Sequence, residues 1–357
     1  MDKIMMWLMA FAAVLGGLDR LAGNRLGLGK RFEEGCMLLG PTALSMAGLI
    51  CVTPLLSMGI QATIVPLFSL LHLDPGMLGG ILAIDMGGYQ LAKELAQDAS
   101  IGSYAGLIVS ATLGCTITFT IPVGMGMLEE QEKTVFAKGM LIGLATLPIG
   151  LFLGGIGCGV TISVLVVQSI PVLILAVLLI FGLQRFPSQM IRGFSVFASL
   201  IQAVGTIGLT IGAFSYMTGR NWIPGMTSLE EAMKVVSSIG IVLLGSLSFA
   251  AILQRILKKP LLWIGKKVGL DETSTAGLLI GIVSPLPVIA DMKTMNRKGA
   301  MVNAAFLVCG TSAVAAHLGF VLGVEPSGIG AMLGAKIIGG LVAATAAVWY
   351  AGKNEKI

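Results

Sequence analysis

The chain has 357 residues, of which 55% are hydrophobic and only 11% are charged. An ordinary soluble domain carries about 25% charged residues, so this composition excludes a typical soluble protein. The net charge of +5 is better explained by membrane topology than by binding to nucleic acid. We therefore expect an all-α polytopic integral membrane protein whose main surroundings are the lipid bilayer.

About eleven apolar segments of spanning length, near 20 residues each, follow one another along the chain. The first lacks the charged flank and cleavage site of a signal peptide, which predicts a retained helix. The polar connections are too short for a soluble domain, so any function is expected within the membrane. The segments cover residues 4–18, 36–60, 77–95, 103–128, 135–156, 160–183, 194–216, 235–253, 275–290, 302–324 and 329–350.

The sequence carries no P-loop, HExxH, GxSxG or dinucleotide-binding motif, which argues against an enzyme and against a bound cofactor. Two other functional classes remain as alternatives to a transporter: an intramembrane enzyme built on buried carboxylates, and a scaffold. Four of the five cysteines lie in the apolar segments, Cys158 lies between two of them, and none has CxxC spacing, so neither a disulfide nor a metal site is expected. The five cysteines are Cys36, Cys51, Cys115, Cys158 and Cys309.

Polar landmarks of the first half recur in the second half at a constant offset of 197 positions. The first five segments thus correspond to the last five, and the sixth connects them. We divide the chain into a first transmembrane repeat (1–158), a connecting helix (159–193) and a second repeat (194–357). The matched pairs include Asn24 with Asn221, Leu73-Asp74 with Leu270-Asp271, Gly80 with Gly277, and Glu94 with Asp291.

Two segments at matching positions of the halves, 77–95 and 275–290, are interrupted by Gly87-Gly88 and by Ser284-Pro285. Such broken segments point to a transporter's binding site. If all eleven segments cross fully, the loop lysines and arginines divide almost evenly between the two sides. If the broken segments re-enter, or each brings one extra short crossing, most of these charges fall on one side, as the positive-inside rule requires. We therefore predict two inverted five-segment repeats, with the N-terminus outside and the C-terminus cytoplasmic.

The first broken segment contains the strongest candidate for a binding residue, Asp85. An ionised side chain at the bilayer centre costs about 2.5–3.5 kcal/mol on insertion scales, so it usually faces a cavity or a partner. Tyr89 follows at i+4 and shares a helical face with Asp85, a pair that suits a small cation. The alternative is an Asp85 that only bonds a neighbouring backbone or Lys93. We favour substrate binding.

Four further residues are weaker candidates. Gln90 and Glu94 form a second i, i+4 pair, almost opposite the first, and Glu94 also suits a solvated interfacial role. Asp291, close to several basic residues, fits either a site or a salt-bridged membrane boundary. His317, in the middle of a segment, suits a substrate hydroxyl, a proton relay or an interhelical hydrogen bond.

Six short motifs carry a resemblance to a known family. They are Phe32-Glu33-Glu34-Gly35, Asp85-Met86-Gly87-Gly88, Leu91-Ala92-Lys93-Glu94, Ile121-Pro122-Val123, Lys259-Pro260-Leu261 and His317-Leu318-Gly319-Phe320. With these motifs the chain resembles the ethanolamine utilisation membrane protein family, the EutH-type proposed ethanolamine transporters, which implies a bacterial plasma-membrane location. It departs from that family's pattern at Ala316, where an acid is expected, and at Ser284-Pro285, where an asparagine-rich stretch is expected; family members also tend to be longer.

This resemblance implies uptake of ethanolamine for catabolism. Asp85 would then bind the ammonium group, and Tyr89, Gln90 or His317 the hydroxyl. The membrane potential is sufficient to drive a monocation inward without a coupled ion, so we expect uniport. The alternative is ion-coupled transport of another small organic cation. The sequence leaves the oligomeric state open, and a homo-oligomer is compatible with it.

Overall fold

The structure, a computed structural model, describes residues 2–82 and 85–354, apart from the side chains of Asp85 and Asn354. Every regular element within these residues is a helix, and they contain no strand. Eight of the helices are long and apolar enough to cross a membrane. The all-α class and the multi-pass arrangement predicted from hydropathy are therefore confirmed.

The first part of the chain ends in a long helix, α9, that packs against the second part. A π-helical stretch, made of Tyr104–Gly114 and Thr116–Thr120, joins α7 to α8. The helices are α1 (Asp2–Leu21), α2 (Leu28–Met37), α3 (Leu39–Thr63), α4 (Val65–Leu70), α5 (Met77–Ile81), α6 (Gly88–Leu95), α7 (Ala99–Ser103), α8 (Ile121–Met127) and α9 (Glu130–Gly157).

The second part follows α10, and several of its element boundaries lie close to those of the first part shifted by 197 positions. Adding 197 to the bounds of α6 gives 285–292, and adding it to those of α9 gives 327–354, which nearly reproduce α14 and α17. The helices are α10 (Ile162–Arg185), α11 (Pro187–Thr218), α12 (Leu229–Lys267), α13 (Glu272–Gly281), α14 (Pro285–Asp291), α15 (Arg297–Gly310), α16 (Ala316–Val324) and α17 (Ile329–Asn354).

The two ends of the broken segment 77–95 lie close together. The buried carboxylate of Asp74, just before α5, accepts backbone hydrogen bonds from Gln97 at 3.1 Å and from Asp98 at 2.9 Å, just after α6. Both ends of the segment are thereby fastened together. We call the described residues 74–82 and 85–98 the first hairpin; its 3₁₀ turn, Asp85–Gly87, lies about ten residues from its base, which is roughly 15 Å of helix.

The broken segment 275–290 is closed in the same way by the matching aspartate. The carboxylate of Asp271 caps α13 by accepting from Ser274 N at 2.7 Å and also accepts from Asn296 N at 2.6 Å, beyond α14. Asn296 in turn caps α15. We call residues 271–296 the second hairpin, and its turn spans Ile282 to Ser284.

The two hairpins have their bases at opposite ends of α9. Gln131 and Glu132, at the start of α9, share a groove with Lys293 and Arg297 beside the second hairpin. At the base of the first hairpin, Asp74 N donates to Gln168 Oε1 at 2.8 Å, in the second turn of α10, which begins shortly after α9 ends. Since α9 has 28 residues, about 42 Å of helix separates its two ends.

The first hairpin depends on a close approach between its two helices at Gly79. A Cβ atom at this position would meet the backbone of Ala92. We expect Gly79→Ala to force the helices apart at a cost of about 1–3 kcal/mol, because the contact leaves no room for the added methyl group. The measurement is the melting temperature of the purified protein in detergent.

Gly59→Ala provides the matched control, since a Cβ at Gly59 in α3 meets no atom within 4 Å. This variant is expected to melt at or slightly above the wild-type temperature, because alanine also favours a helix. Equal melting temperatures for the two variants would contradict the tight packing of the first hairpin.

Candidate functional site

The turns of both hairpins converge on irregular backbone in the interior of the bundle. In the first hairpin, a Cβ at Gly88 would touch the hydroxyl of Ser110 in the π-helical stretch. In the second hairpin, Gly281 O accepts a hydrogen bond from Ser312 N at 3.1 Å, and Ile282 O accepts from Val314 N at 3.2 Å. The first hairpin thus contacts the π-helical stretch of its own half, and the second hairpin contacts the residues between α15 and α16.

Segment 302–324 is itself interrupted between α15 and α16, which hydropathy alone did not predict. Ser312 adopts a left-handed backbone conformation with φ of 58°, costly for a residue with a side chain. The Thr116 hydroxyl of the π-helical stretch lies 3.2 Å from Val308 O, near the end of α15. We call this contact region between residues 110–116 and 308–312 the junction. Irregular backbone at membrane depth is tolerated only where protein or a water-filled cavity surrounds it.

Asp85, the predicted cation ligand, begins a single 3₁₀ turn, Asp85–Gly87, at the tip of the first hairpin. Its side chain lies outside the described part of the structure, so its contacts stay a prediction. The backbone position alone places Asp85 three residues before Gly88, which packs on Ser110 of the junction.

Tyr89 belongs to a polar cluster that joins the two halves. Its hydroxyl donates to Glu325 Oε2 at 2.9 Å, and Ser103 Oγ lies 2.7 Å from Glu325 Oε1. Lys93 Nζ donates to Ser103 Oγ at 3.0 Å and lies 3.3 Å from Glu325 Oε2. We call Tyr89, Lys93, Ser103 and Glu325 the Glu325 cluster.

The Glu325 cluster is only partly accessible. Tyr89 is 7% exposed, whereas the side chains of Lys93 and Glu325 are 30% and 22% exposed. The Tyr89 ring packs edge-on against Phe320 of α16, with 5.6 Å between ring centroids. A carboxylate beside an aromatic ring and hydroxyl groups has the components needed to bind an ammonium ion.

His317 links this cluster to the junction through α16. The residue is 1% exposed, and its backbone N–H donates to Ser312 O at 3.2 Å. It precedes Glu325 by eight residues, or about 12 Å of helix. His317 is therefore an interior residue, as its place in the middle of an apolar segment predicts.

The other three candidates lie apart from the Glu325 cluster. Gln90 is half-buried on α6, and Glu94 is exposed near the end of the same helix. Asp291 is exposed at the end of α14, at the base of the second hairpin. The structure thus groups Tyr89 with residues that the sequence analysis did not select, and it separates Asp291 from them.

Two charged residues near the irregular backbone, Glu325 and Lys336, were not predicted as site residues from the sequence. Glu325 stands directly after an apolar segment and before Pro326, a position that normally indicates an interfacial acid. Lys336 is a lone lysine within the last apolar segment, and this intramembrane charge was a signal that could have identified it. Its ammonium group donates to Ala111 O at 2.7 Å and to Cys309 O at 3.1 Å, within the junction.

Comparison with known proteins points to a single family. Residues 1–350 match the family model described as "Ethanolamine utilisation protein, EutH". The chain is 35% identical over 356 residues to the probable ethanolamine permease EutH of Listeria monocytogenes, covering 99% of this chain and 95% of that protein. It is 38% identical over 349 residues to protein YxeR of Bacillus subtilis, covering 98% and 94% of the two chains. It is 33% identical over 393 aligned positions to the probable ethanolamine permease EutH of Salmonella typhimurium, covering 99% and 96%. No solved structure matches the chain significantly.

Proposed function

Because this chain belongs to the EutH family of ethanolamine utilisation proteins, we propose that it is a permease that takes up ethanolamine in its protonated form. Relatives in Listeria and Salmonella carry the name probable ethanolamine permease. The structural observation that supports the proposal is the hydrogen bond from Tyr89, four residues after Asp85 on the first hairpin, to the partly buried Glu325. A partly buried carboxylate beside a tyrosine hydroxyl suits a transported cation better than a scaffold.

Ethanolammonium has two polar groups, an ammonium and a hydroxyl separated by two carbons. In the Glu325 cluster the substrate ammonium takes the position of the Lys93 ammonium beside the carboxylate, and the Tyr89 and Ser103 hydroxyls complete its hydrogen bonds. From there it moves along the first hairpin to Asp85. Glu325 is thus the first ligand, and Asp85 the principal ligand in the membrane interior.

The remaining candidates have supporting roles in this proposal. Gln90 on α6 and His317 on α16 contact the substrate hydroxyl in this proposal. Glu94 and Asp291, both exposed near hairpin ends, attract cations toward the two mouths of the pathway.

The membrane potential provides the driving force. A monocation that moves inward gains about 2.3 kcal/mol per 100 mV of inside-negative potential, which corresponds to roughly a 50-fold gradient. Neutral ethanolamine permeates lipid unaided, so a carrier matters most in acid, where the ammonium form dominates. We therefore propose electrogenic uniport.

The test is uptake of labelled ethanolamine by proteoliposomes at acid external pH, with three unlabelled competitors. Ethanolamine is expected to compete most strongly. Ethylamine, which lacks the hydroxyl, is expected to compete weakly, and ethylene glycol, which lacks the ammonium, not at all. Uptake equal to that of protein-free liposomes would refute the proposal.

We also propose that the halves are inverted repeats, with the N-terminus outside and the C-terminus cytoplasmic. The similar element boundaries and the hairpin bases at opposite ends of α9 support this arrangement. In a Cys36→Ala background, an impermeant maleimide should label Arg220→Cys in intact cells. It should label Arg25→Cys only after permeabilisation. The reverse labelling pattern would contradict the orientation.

A further inference from the structure

Lys336 is a charged residue in the interior of an otherwise apolar helix. Its side chain is 0% exposed. It lies seven residues after Ile329, the first residue of α17, so it stands about 10 Å along the helix. A cation at such a depth is costly and is usually retained for a function.

The ammonium group of Lys336 joins two irregular elements that come from different halves of the chain. Ala111, one acceptor, belongs to the π-helical stretch of the first half. Cys309, the other acceptor, is the penultimate residue of α15, which breaks immediately afterwards. The last carbonyls of a helix lack intrahelical partners and carry the negative end of the helix dipole, so this position favours a positive charge.

Further oxygen atoms surround the break. The hydroxyl of Thr311, two residues after Cys309, is fully buried and has no hydrogen-bond partner among the described residues. The hydroxyl of Thr116 lies at the junction as well. In transporters with discontinuous helices, unwound backbone carbonyls and helix C-terminal ends form the sites for coupling ions. Here the cation beside such carbonyls is the ammonium group of Lys336, which belongs to the protein itself.

We propose that the Lys336 ammonium takes the place of a coupling metal cation at the junction, so that transport by this protein needs no co-transported sodium. A tethered ammonium supplies the positive charge that holds the two broken helices together, and it cannot leave with the substrate. This inference rests on the proposed function as a permease and specifies its ion coupling. It predicts that removal of the charge creates a requirement for a small cation.

The first experiment is ethanolamine uptake by proteoliposomes in sodium chloride and in N-methylglucamine chloride. Wild type and Lys336→Arg are expected to take up substrate equally in both salts. Lys336→Ala is expected to be about tenfold or more slower without sodium and to recover in its presence, since one charge-assisted hydrogen bond is worth at least that factor. Where the alanine variant does not fold, Lys336→Gln replaces it.

The second experiment uses no substrate, so it separates this inference from the proposed function. Sodium is expected to raise the melting temperature of Lys336→Ala in detergent relative to N-methylglucamine, and to leave that of wild type unchanged. A sodium requirement in wild type would overturn the inference. So would an alanine variant that sodium neither stabilises nor reactivates, or one that transports normally without sodium. If the melting shift appears in a protein that transports no ethanolamine, the cation site stands and the proposed substrate is wrong.

Discussion

Replacement of Asp85 by asparagine is expected to reduce kcat/KM for ethanolammonium uptake by about 10- to 150-fold. The substitution keeps the size of the side chain and removes its charge, and hydrogen bonds to charged groups contribute about 1.5–3 kcal/mol. Asp85 begins the 3₁₀ turn at the tip of the first hairpin, roughly 15 Å from its base. The measurement is initial uptake rate against substrate concentration in proteoliposomes at acid external pH.

Asp85→Glu is the charge-preserving control and is expected to retain more activity than the asparagine variant. Both variants must melt at a temperature close to wild type, so that a loss of uptake reports on binding. Normal transport by Asp85→Asn would show that the principal cation ligand lies elsewhere.

Glu325→Gln is expected to raise KM for ethanolammonium about tenfold or more, with a smaller effect on the maximal rate. The amide retains the shape of the carboxylate and its contact with Tyr89 but loses the attraction for an ammonium group. Tyr89→Phe, which leaves the charge in place, is expected to have the weaker effect of the two. Both effects are measured in the same concentration series as for Asp85.

Lys93→Met gives a prediction of the opposite sign. Lys93 Nζ lies 3.3 Å from Glu325 Oε2, where the substrate ammonium is proposed to bind. Removal of this internal competitor is expected to lower KM. Glu230→Gln, at an exposed acid in the first turn of α12, is the matched control and should behave as wild type. If Lys93→Met and Glu325→Gln both raise KM equally, the ion pair serves structure and the proposed outer site is wrong.

The hairpins could be anticipated because their causes are local. Gly87-Gly88 and Ser284-Pro285 interrupt apolar segments at matching positions, and the offset of 197 positions aligns the two interruptions from the sequence alone. The matching pair Asp74 and Asp271 was also visible in the sequence. Its role was not, because the partners of Asp74 lie 23 and 24 residues away and only the folded hairpin brings them together.

The Glu325 cluster and the junction could not be predicted, because their partners are distant in sequence. Tyr89 and Glu325 are 236 positions apart, and Lys336 and Ala111 are 225 positions apart. A hydropathy profile treats Glu325 as the polar end of a segment and Lys336 as an isolated exception. A hydropathy profile also does not detect the break at Ser312, because a left-handed backbone conformation does not alter the apolar composition of the segment.

The most direct test of electrogenic ethanolammonium uptake is the dependence of accumulation on an imposed potassium diffusion potential. Wild-type proteoliposomes at acid pH, held at 100 mV inside-negative, are expected to approach roughly a 50-fold inward gradient of labelled ethanolamine without sodium. At zero potential, uptake should stop at equal concentrations inside and outside. Accumulation that does not change with the imposed potential would contradict the account.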